Sequence, residues 1–531
     1  MKKDLLYWCL TGIVCLLIVS CKRRQAVVVY FENDVHCAVD AYVDIAAMRD
    51  SALQTTPYVS VVSSGDFFQG DIVGSISQGE YIVDIMNTVP YDVVTLGNHE
   101  FDYGLVQQKR LCERLTADVV CCNLSHRNAG EMLYPGYVIR EYGPVRVAFV
   151  GVATPSTMHT STPTFFMDST GQVVYDFHQE DTFECVQRAA DEARRKGADY
   201  VIVLSHLGDD SPMGNSPELI RATRGIDVVL DGHAHHVIRQ RMNNADGKEV
   251  WLASTGSKGK YVGELTIPVV GGVKIRLIDP VTISDSLLPA RVTDKIADIE
   301  SRLDSLVNKP VGYSEVNLLD RDSHKTRIIR WQETNLSDFT ADAMRAVGGG
   351  QIGVMHGGGL RAPIDTGTIT LGELISLFPF NNRLAKVRMT GQQLLDAMEV
   401  SVASYPVESG DFHICSGLRY SIDPSVASSV QWDEMKMFCG VGDTRRIVRM
   451  EVETADGKWE AIDPEASYTV SGLNYTLLSG GASGMFRYAE PMQTEDMKDT
   501  DILLRYLQLL GDTIRANRYP ENLHERRFEV L

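Results

Sequence analysis

Between residues 26 and 233 the chain repeats one arrangement: a short β-branched run, a polar loop, and in several places a helical stretch before the next run. The runs are AVVVYF (26–31), YVSVVSS (58–64), DVVTLGN (92–98), DVVCCNL (118–124), RVAFVGV (146–152), YVIVLSH (200–206) and DVVLDGH (227–233). TFECVQRAADEARRKGA (182–198) is the clearest intervening helix and stops on a glycine. Such alternation folds as a layered α/β core with largely buried strands.

Five of these runs lead into groups a core does not want. The first reaches Asp34 and His36, the second Asp66, the third Asn98 and His99. The run at 200–206 ends at His206, and the run at 227–233 continues as GHAHH, with His233 and His235. Buried polar atoms need partners, and open α/β sheets bind ligands beyond the carboxyl ends of their strands. One rim can therefore collect all of these side chains. Carboxylate, amide oxygen and imidazole suit Mn, Fe or Zn, and the lack of thiolates argues against a structural zinc site. Two cations sharing one carboxylate would clamp a phosphoryl group and activate water.

The order D-x-H, G-D, G-N-H-E, H, G-H-x-H resembles that of the calcineurin-like metallophosphoesterases. The stretch GNHEFDYG (97–104), followed by a second domain, is similar to the bacterial periplasmic 5′-nucleotidases and the animal ecto-5′-nucleotidase. The resemblance implies a four-layer α/β/β/α sandwich with an α+β C-terminal domain. It implies that Asp34, His36 and His235 hold one divalent cation, that Asn98, His206 and His233 hold another, and that Asp66 bridges them. His99, paired with Asp102, would be catalytic rather than a ligand. Glu100 is expected to support the turn, Cys37 to pack, and His236 to face solvent or lie behind the ligands.

After residue 313 the texture becomes mixed α+β. WQETNLSDFTADAMR (331–345), VMHGGGLRAPIDTGTITLGEL (354–374) and LFPFNNRLAKVRMTG (377–391) resemble the nucleotidase C-terminal domain. Arg361, flanked by glycines, can offer a guanidinium fork to a phosphate or a base edge. By the resemblance Arg361, Phe380 and Tyr475 form the substrate clamp. The pattern's Asn, at a position associated with the base, is His356 here, and its Arg near Gln332 is replaced by Arg330, two residues earlier. Its GGDG turn reads GGASG (480–484), so the acid expected at the ribose is missing and recognition is expected to change.

The expected segments are a signal sequence with a lipobox cysteine (1–21), a metallophosphoesterase domain (26–285), a connecting helix (286–312) and a substrate-binding domain (313–531). MKKDLLYWCLTGIVCLLIVSC carries two lysines, an apolar run and Ser-Cys, so export and lipid attachment at Cys21 are expected. No acidic tag follows Cys21, which favours the periplasmic side of the outer membrane. With 51 Lys and Arg against 70 Asp and Glu, net −19, the chain has no field for a nucleic-acid polymer. Seven cysteines follow Cys21 without metal-finger spacing, and a Cys415–Cys439 bridge is one pairing they allow.

The expected activity is phosphate release from nucleoside 5′-monophosphates. A phosphodiesterase, or a nucleotide-sugar or diphosphate hydrolase, would use the same metal ligands. A non-catalytic lipid-anchored binding protein is the reading from another class, and the full ligand set with His99 and Asp102 argues against it. Oligomeric state is not written in the motifs.

Overall fold

The computed structural model describes residues 25–531 except 128, 162, 168–171, 281–286, 434–436, 479–480, 482 and 524–525, and the side chains of 159, 160, 163 and 164. The expected signal segment and Cys21 lie outside the described residues. Strands β1 (Val27–Glu32), β2 (Val59–Ser63), β3 (Val93–Val94) and β4 (Asp118–Val119) run parallel. Val262–Ile267 and Lys274–Ile278 extend that sheet antiparallel beside β1. The second sheet has a parallel centre of β5 (Val145–Ala153), β6 (Tyr200–His206), β7 (Val228–Leu230) and β8 (Glu249–Thr255). Its edges are the antiparallel strands Tyr137–Tyr142 and Val237–Asn243.

Period-two burial explains why these two sheets face each other. Val29 and Phe31 of β1, Val147 and Phe149 of β5, and Ile202 and Leu204 of β6 meet in one apolar layer between the sheets. The alternate residues Ala148, Val150, Val201 and Val203 point outward, against Val186, Ala189, Ala190 and Ala193 of helix α4 (Thr182–Arg195). On the opposite face, helices α1 (Val39–Leu53), α3 (Glu80–Thr88) and α5 (Ala290–Val307) cover the first sheet with Tyr42, Ile45, Ile82, Met86, Ile296 and Ile299. Between α1 and α3 comes the short helix α2 (Ile72–Ser77). The four layers are thus helix, sheet, sheet, helix.

Three expected strands are shorter in the structure, the run at 227–233 keeping only Val228–Leu230. The runs at 92–98 and 118–124 keep only two residues each in regular ladder, because the first turns away after Val94 to deliver Gly97, Asn98 and His99. Helix α5 buries Val292, Ile296, Ile299 and Leu303, a spacing that lays one face on α1, α2 and α3. Its C-terminal end meets α7 (Leu371–Leu377), where Gly372 packs on Val307 and Ile72. The C-terminal domain centres on α6 (Asn335–Gly348) and a sheet ordered β11 (His413–Ser416), β9 (Ile352–His356), β12 (Ser467–Leu473), β10 (Leu384–Thr390) and Glu490–Met492.

The Cys415–Cys439 bridge does not form. Cys415 is buried with its Sγ toward Met398, whereas Cys439 is exposed on a separate two-stranded ribbon. Among the described residues no helix is long and apolar enough to cross a membrane.

Phe149 is fully buried where the two sheets meet. Phe149→Ala is expected to destabilise the N-terminal domain by about 3–5 kcal/mol, read as a lowered midpoint in chemical denaturation. A midpoint equal to wild type would mean that the inter-sheet layer does not depend on this ring.

Candidate metal centre

The loops after β1 and β2 are joined by backbone hydrogen bonds from Asp34 N–H to Gly65 O (3.0 Å) and from His36 N–H to Asp66 O (2.9 Å). The buried Glu100 carboxylate then ties the β2 loop to the β3 turn. One of its oxygens accepts from Asp66 N–H (2.8 Å) and Gly97 N–H (2.6 Å), and the other from Phe67 N–H (2.7 Å) and Phe68 N–H (3.2 Å). Burial, then the nearby Asp66 charge, push the Glu100 carboxyl up to about 7. Gly97 is obligatory here, since a Cβ would collide with Asp66 Oδ1 and the His206 ring.

Asp34, His36, Asp66 and His235 bring ligand atoms within 4.8 Å of one another. The Gln69 carbonyl accepts from His36 Nδ1 (3.0 Å), and the Ser64 carbonyl accepts from His206 Nδ1 (2.7 Å). A carbonyl cannot donate, so each Nδ1 carries its proton and each Nε2 is turned toward the centre, the usual preparation of a metal-binding imidazole. His36 Nε2 faces His235 Nε2 at 3.0 Å, and Asn98 Oδ1 lies 2.9 Å from His233 Nδ1. Asp66 Oδ1 is held by His99 N–H (2.9 Å). Its Oδ2 reaches both groups, 3.8 Å from His36 Nε2 and 3.1 Å from His206 Nε2.

These residues fit a bound cation. His206 Nε2 is buried and faces only the carboxylates of Asp66 (3.1 Å) and Asp34 (3.9 Å), and these two buried carboxylates demand positive charge beside them. Burial opposes charging His206, yet Asp66 and Asp34 lift its ring to about 10. Burial holds His36 and His233 down near 4. The backbone is strained here as well. Of the twelve non-glycine residues at positive φ among those described, five are Asp34, His36, Asp66, His233 and His235. Such conformations persist where surrounding structure enforces them, and they gather at functional sites.

His99 stands beside this cluster. Its Nδ1 donates to Asp102 Oδ2 (2.6 Å), and Ser161 Oγ donates to Asp102 Oδ1 (3.0 Å). Burial disfavours the charged ring, but Asp102 and Asp66 outweigh it and raise His99 to about 9.

A cavity of about 560 Å³ opens from Asp66, Asn98, His99, His233 and His235 toward the second domain. Its far walls carry Arg327, Arg330, Arg361, His356, Phe380, Asp411 and Tyr475. Phe380 is brought over by the 379–382 loop, which docks on α2: Ser75 Oγ donates to Pro379 O (3.0 Å), and Asn381 Nδ2 to Ser75 O (3.4 Å). Its ring stacks on His99 (centroids 6.2 Å apart, 24°) and lies under Arg361 (5.5 Å). Gly357 and Gly358 let β9 close on two other segments, with Gly357 N–H bound to Phe412 O and Gly358 N–H to Gly410 O. His356 is buried; its Nδ1 donates to Gly410 O (3.1 Å), and its ring lies 5.7 Å from Tyr475. Burial lowers His356 to about 4 and Arg330 to about 10.

Residues 27–237 match the calcineurin-like phosphoesterase family, and residues 310–488 match the 5′-nucleotidase C-terminal domain. The chain is a calcineurin-like phosphoesterase joined to a 5′-nucleotidase C-terminal domain. The Trifunctional nucleotide phosphoesterase protein YfkN of Bacillus subtilis is 25% identical over 91% of this chain, which spans only 34% of that relative's length. A 5′-nucleotidase of Vibrio parahaemolyticus is 24% identical over 72% of this chain and 74% of its own. The crystal structure of a 5′-nucleotidase precursor from Thermus thermophilus superposes with a TM-score of 0.73, at 25% identity, over 95% of this chain and 99% of that one.

Within the phosphoesterase domain, the residues singled out in sequence converge on one rim. In the nucleotidase domain Arg330, His356, Arg361, Phe380 and Tyr475 line the cavity facing it. Four contributors had not been singled out. Ser161 and Arg327 come from loops without a pattern, and Asp411 enters through packing of the 408–412 segment. Asn33, which bonds Asp34, Thr255 and Gly256, was hidden in plain sight in the motif END. His236 is exposed and bonds Asp209 (2.7 Å), and Cys37 is buried against Gly74.

Glu100→Gln would set an amide N–H₂ against backbone N–H donors. The variant is expected to lose about 2–3 kcal/mol of stability and to retain less metal after chelation and reloading, read by thermal melting and elemental analysis. Wild-type values in both would exclude Glu100 as the tie between the loops.

Proposed function

We propose that this chain is an exported, lipid-anchored phosphohydrolase that uses two divalent cations to release phosphate from nucleoside 5′-monophosphates. The observation carrying this reading is one cavity with the Asp, His and Asn cluster at one end and, facing it, Arg330 and Arg361, neither in an ion pair among the described residues. Asp34, His36 and His235 would hold one cation, Asn98, His206 and His233 the other, with Asp66 shared. Cations bound there lower the pKa of water and draw charge from phosphoryl oxygens. The names of the relatives, nucleotide phosphoesterase and 5′-nucleotidase, support the substrate class. The N-terminal Lys-Lys, apolar run and Ser20-Cys21 support export and the anchor.

The chain's own groups account for the rest. His99 is held by Asp102 through Nδ1, so its Nε2–H is free to stabilise charge on the phosphoryl group and the leaving oxygen. The Asp102 carboxylate bonded at Nδ1 favours the protonated ring. Arg330 and Arg361 neutralise and orient the phosphate. Phe380, between His99 and Arg361, shields that meeting point from water. Tyr475 offers an aromatic face to a base.

A second reading is favoured by Arg327, which Glu408 fixes on the same arginine wall. A third guanidinium suits the added charge of a diphosphate, whose hydrolysis would use the same metal ligands.

The deciding experiment strips the protein of metal, reloads it with Mn²⁺ and measures phosphate release from the monoesters, p-nitrophenol release from the diester and UMP formation from UDP-glucose. AMP and UMP are expected to exceed UDP-glucose, a sugar phosphate and bis(p-nitrophenyl) phosphate. Preference for the diphosphate would transfer the assignment to the second reading. His99→Ala is expected to reduce kcat by about 10²–10⁴-fold with metal content unchanged; undiminished turnover would remove His99 from the chemistry.

A further inference from the structure

The cavity is electrically lopsided. Arg327, Arg330 and Arg361 form a cationic wall, and Asp102 acts on Arg361, which sets that wall beside the His99 dyad. Asp411 is the acid that the second domain contributes to the same cavity. Burial raises the pKa of the Tyr475 hydroxyl, and the charges of Asp411 and Asp102 both reach it and raise it further. A Cβ added to Gly481, at φ +62°, would lie 3.6 Å from Asp411 Oδ1 and 3.9 Å from Tyr475 Cε1. The carboxylate and the aromatic edge therefore border the same strip of the wall.

Asp411 has little local reason to carry a charge. Its segment is stapled by main-chain bonds, Ser409 N–H to Arg330 O (2.9 Å) and Gly358 N–H to Gly410 O (3.0 Å), and Asp411 N–H is satisfied by Ser409 Oγ (3.2 Å). Its side chain is partly buried and has no ion pair among the described residues. Burial pushes the carboxyl up to about 6, with the Ser483 hydroxyl alone acting against that. A carboxylate removed from water and left without a cation is unfavourable unless something donates to it. The neighbouring turn 479–484 contains no other acid to share that task.

We propose that Asp411 is a specificity-determining residue, accepting hydrogen bonds from donor groups of the nucleoside, either the sugar hydroxyls or an exocyclic base amine. This rests on the nucleotide reading above. The cationic wall and the candidate metal ligands draw the phosphate to one end, which leaves the nucleoside end to meet the acceptor. A ligand without donors there leaves a desolvated carboxylate unpaired, which is how such a site discriminates.

The test compares kcat/KM for AMP, 2′,3′-dideoxy-AMP and purine riboside 5′-monophosphate, using Mn²⁺-loaded wild type, Asp411→Asn and Asp411→Ala. Wild type is expected to prefer AMP about ten- to a hundredfold over the analogue lacking the relevant donor. Asp411→Ala should collapse that ratio toward one, mainly through KM, and Asp411→Asn should reduce it in part. Collapse for the dideoxy analogue assigns the sugar, and collapse for purine riboside monophosphate assigns the base amine. A merely structural aspartate would lower all three rates together; if both ratios persist in the variants, the proposal is overturned. Asn keeps the side chain's shape if the alanine variant misfolds. Wild type that cleaves p-nitrophenyl phosphate but no nucleotide would sink the nucleotide reading itself, and this role with it.

Discussion

Glu100 is the constraint on which the rest of the centre depends. Its carboxylate gathers four backbone N–H groups, three from the loop after β2 and one from the turn after β3. Without it those donors would be buried and unpaired, and the loops beyond two strand ends would drift apart. Because it fixes Asp66 and Gly97 together, it also fixes Asn98 and His99 against Asp66. The arrangement of ligands is thus set from beneath, by a residue whose carboxylate is spent on the backbone.

The phosphoesterase half was legible because its chemistry is delivered by strands. A β-branched run is easy to see, and a polar residue where it stops is conspicuous; Asp34, Asp66, Asn98, His206 and His233 all announce themselves this way. Helices α4 and α5 were legible from their apolar spacing: α4 starts where expected and stops three residues early, and α5 fills Ala290–Val307 of the 286–312 connector. The lengths of β3 and β4 were not, because composition does not record where a strand leaves its ladder. Asp411 and Ser161 carried no signal, since each matters through what packs against it. The cysteine pairing failed for the same reason: Cys415 faces a core that Cys439 does not share.

The two domains meet at the 379–382 loop as well as where α7 packs on α5. Pro379 and Asn381 bond the short helix after the Asp66 loop, and this carries Phe380 onto His99. The same loop is anchored behind by Asn382 N–H to Asp499 and by Arg383 N–H to Asn474. An aromatic ring is therefore registered against the His99–Asp102 pair by hydrogen bonds that each join a main-chain atom to a side chain, so Ser75, Asn381, Asn474 and Asp499 hold it in place.

The five left-handed residues of the rim have an evolutionary consequence. Each such conformation carries about 1–3 kcal/mol of local strain, and glycine would relieve it but would remove the side chain that the centre needs. Heat-based selection acting on random variants would find ready gains at these positions and would dismantle the candidate metal centre in taking them. Durability and turnover are thus opposed at the same few backbone angles, and a more robust form of this protein has to be sought in its sheets and helices.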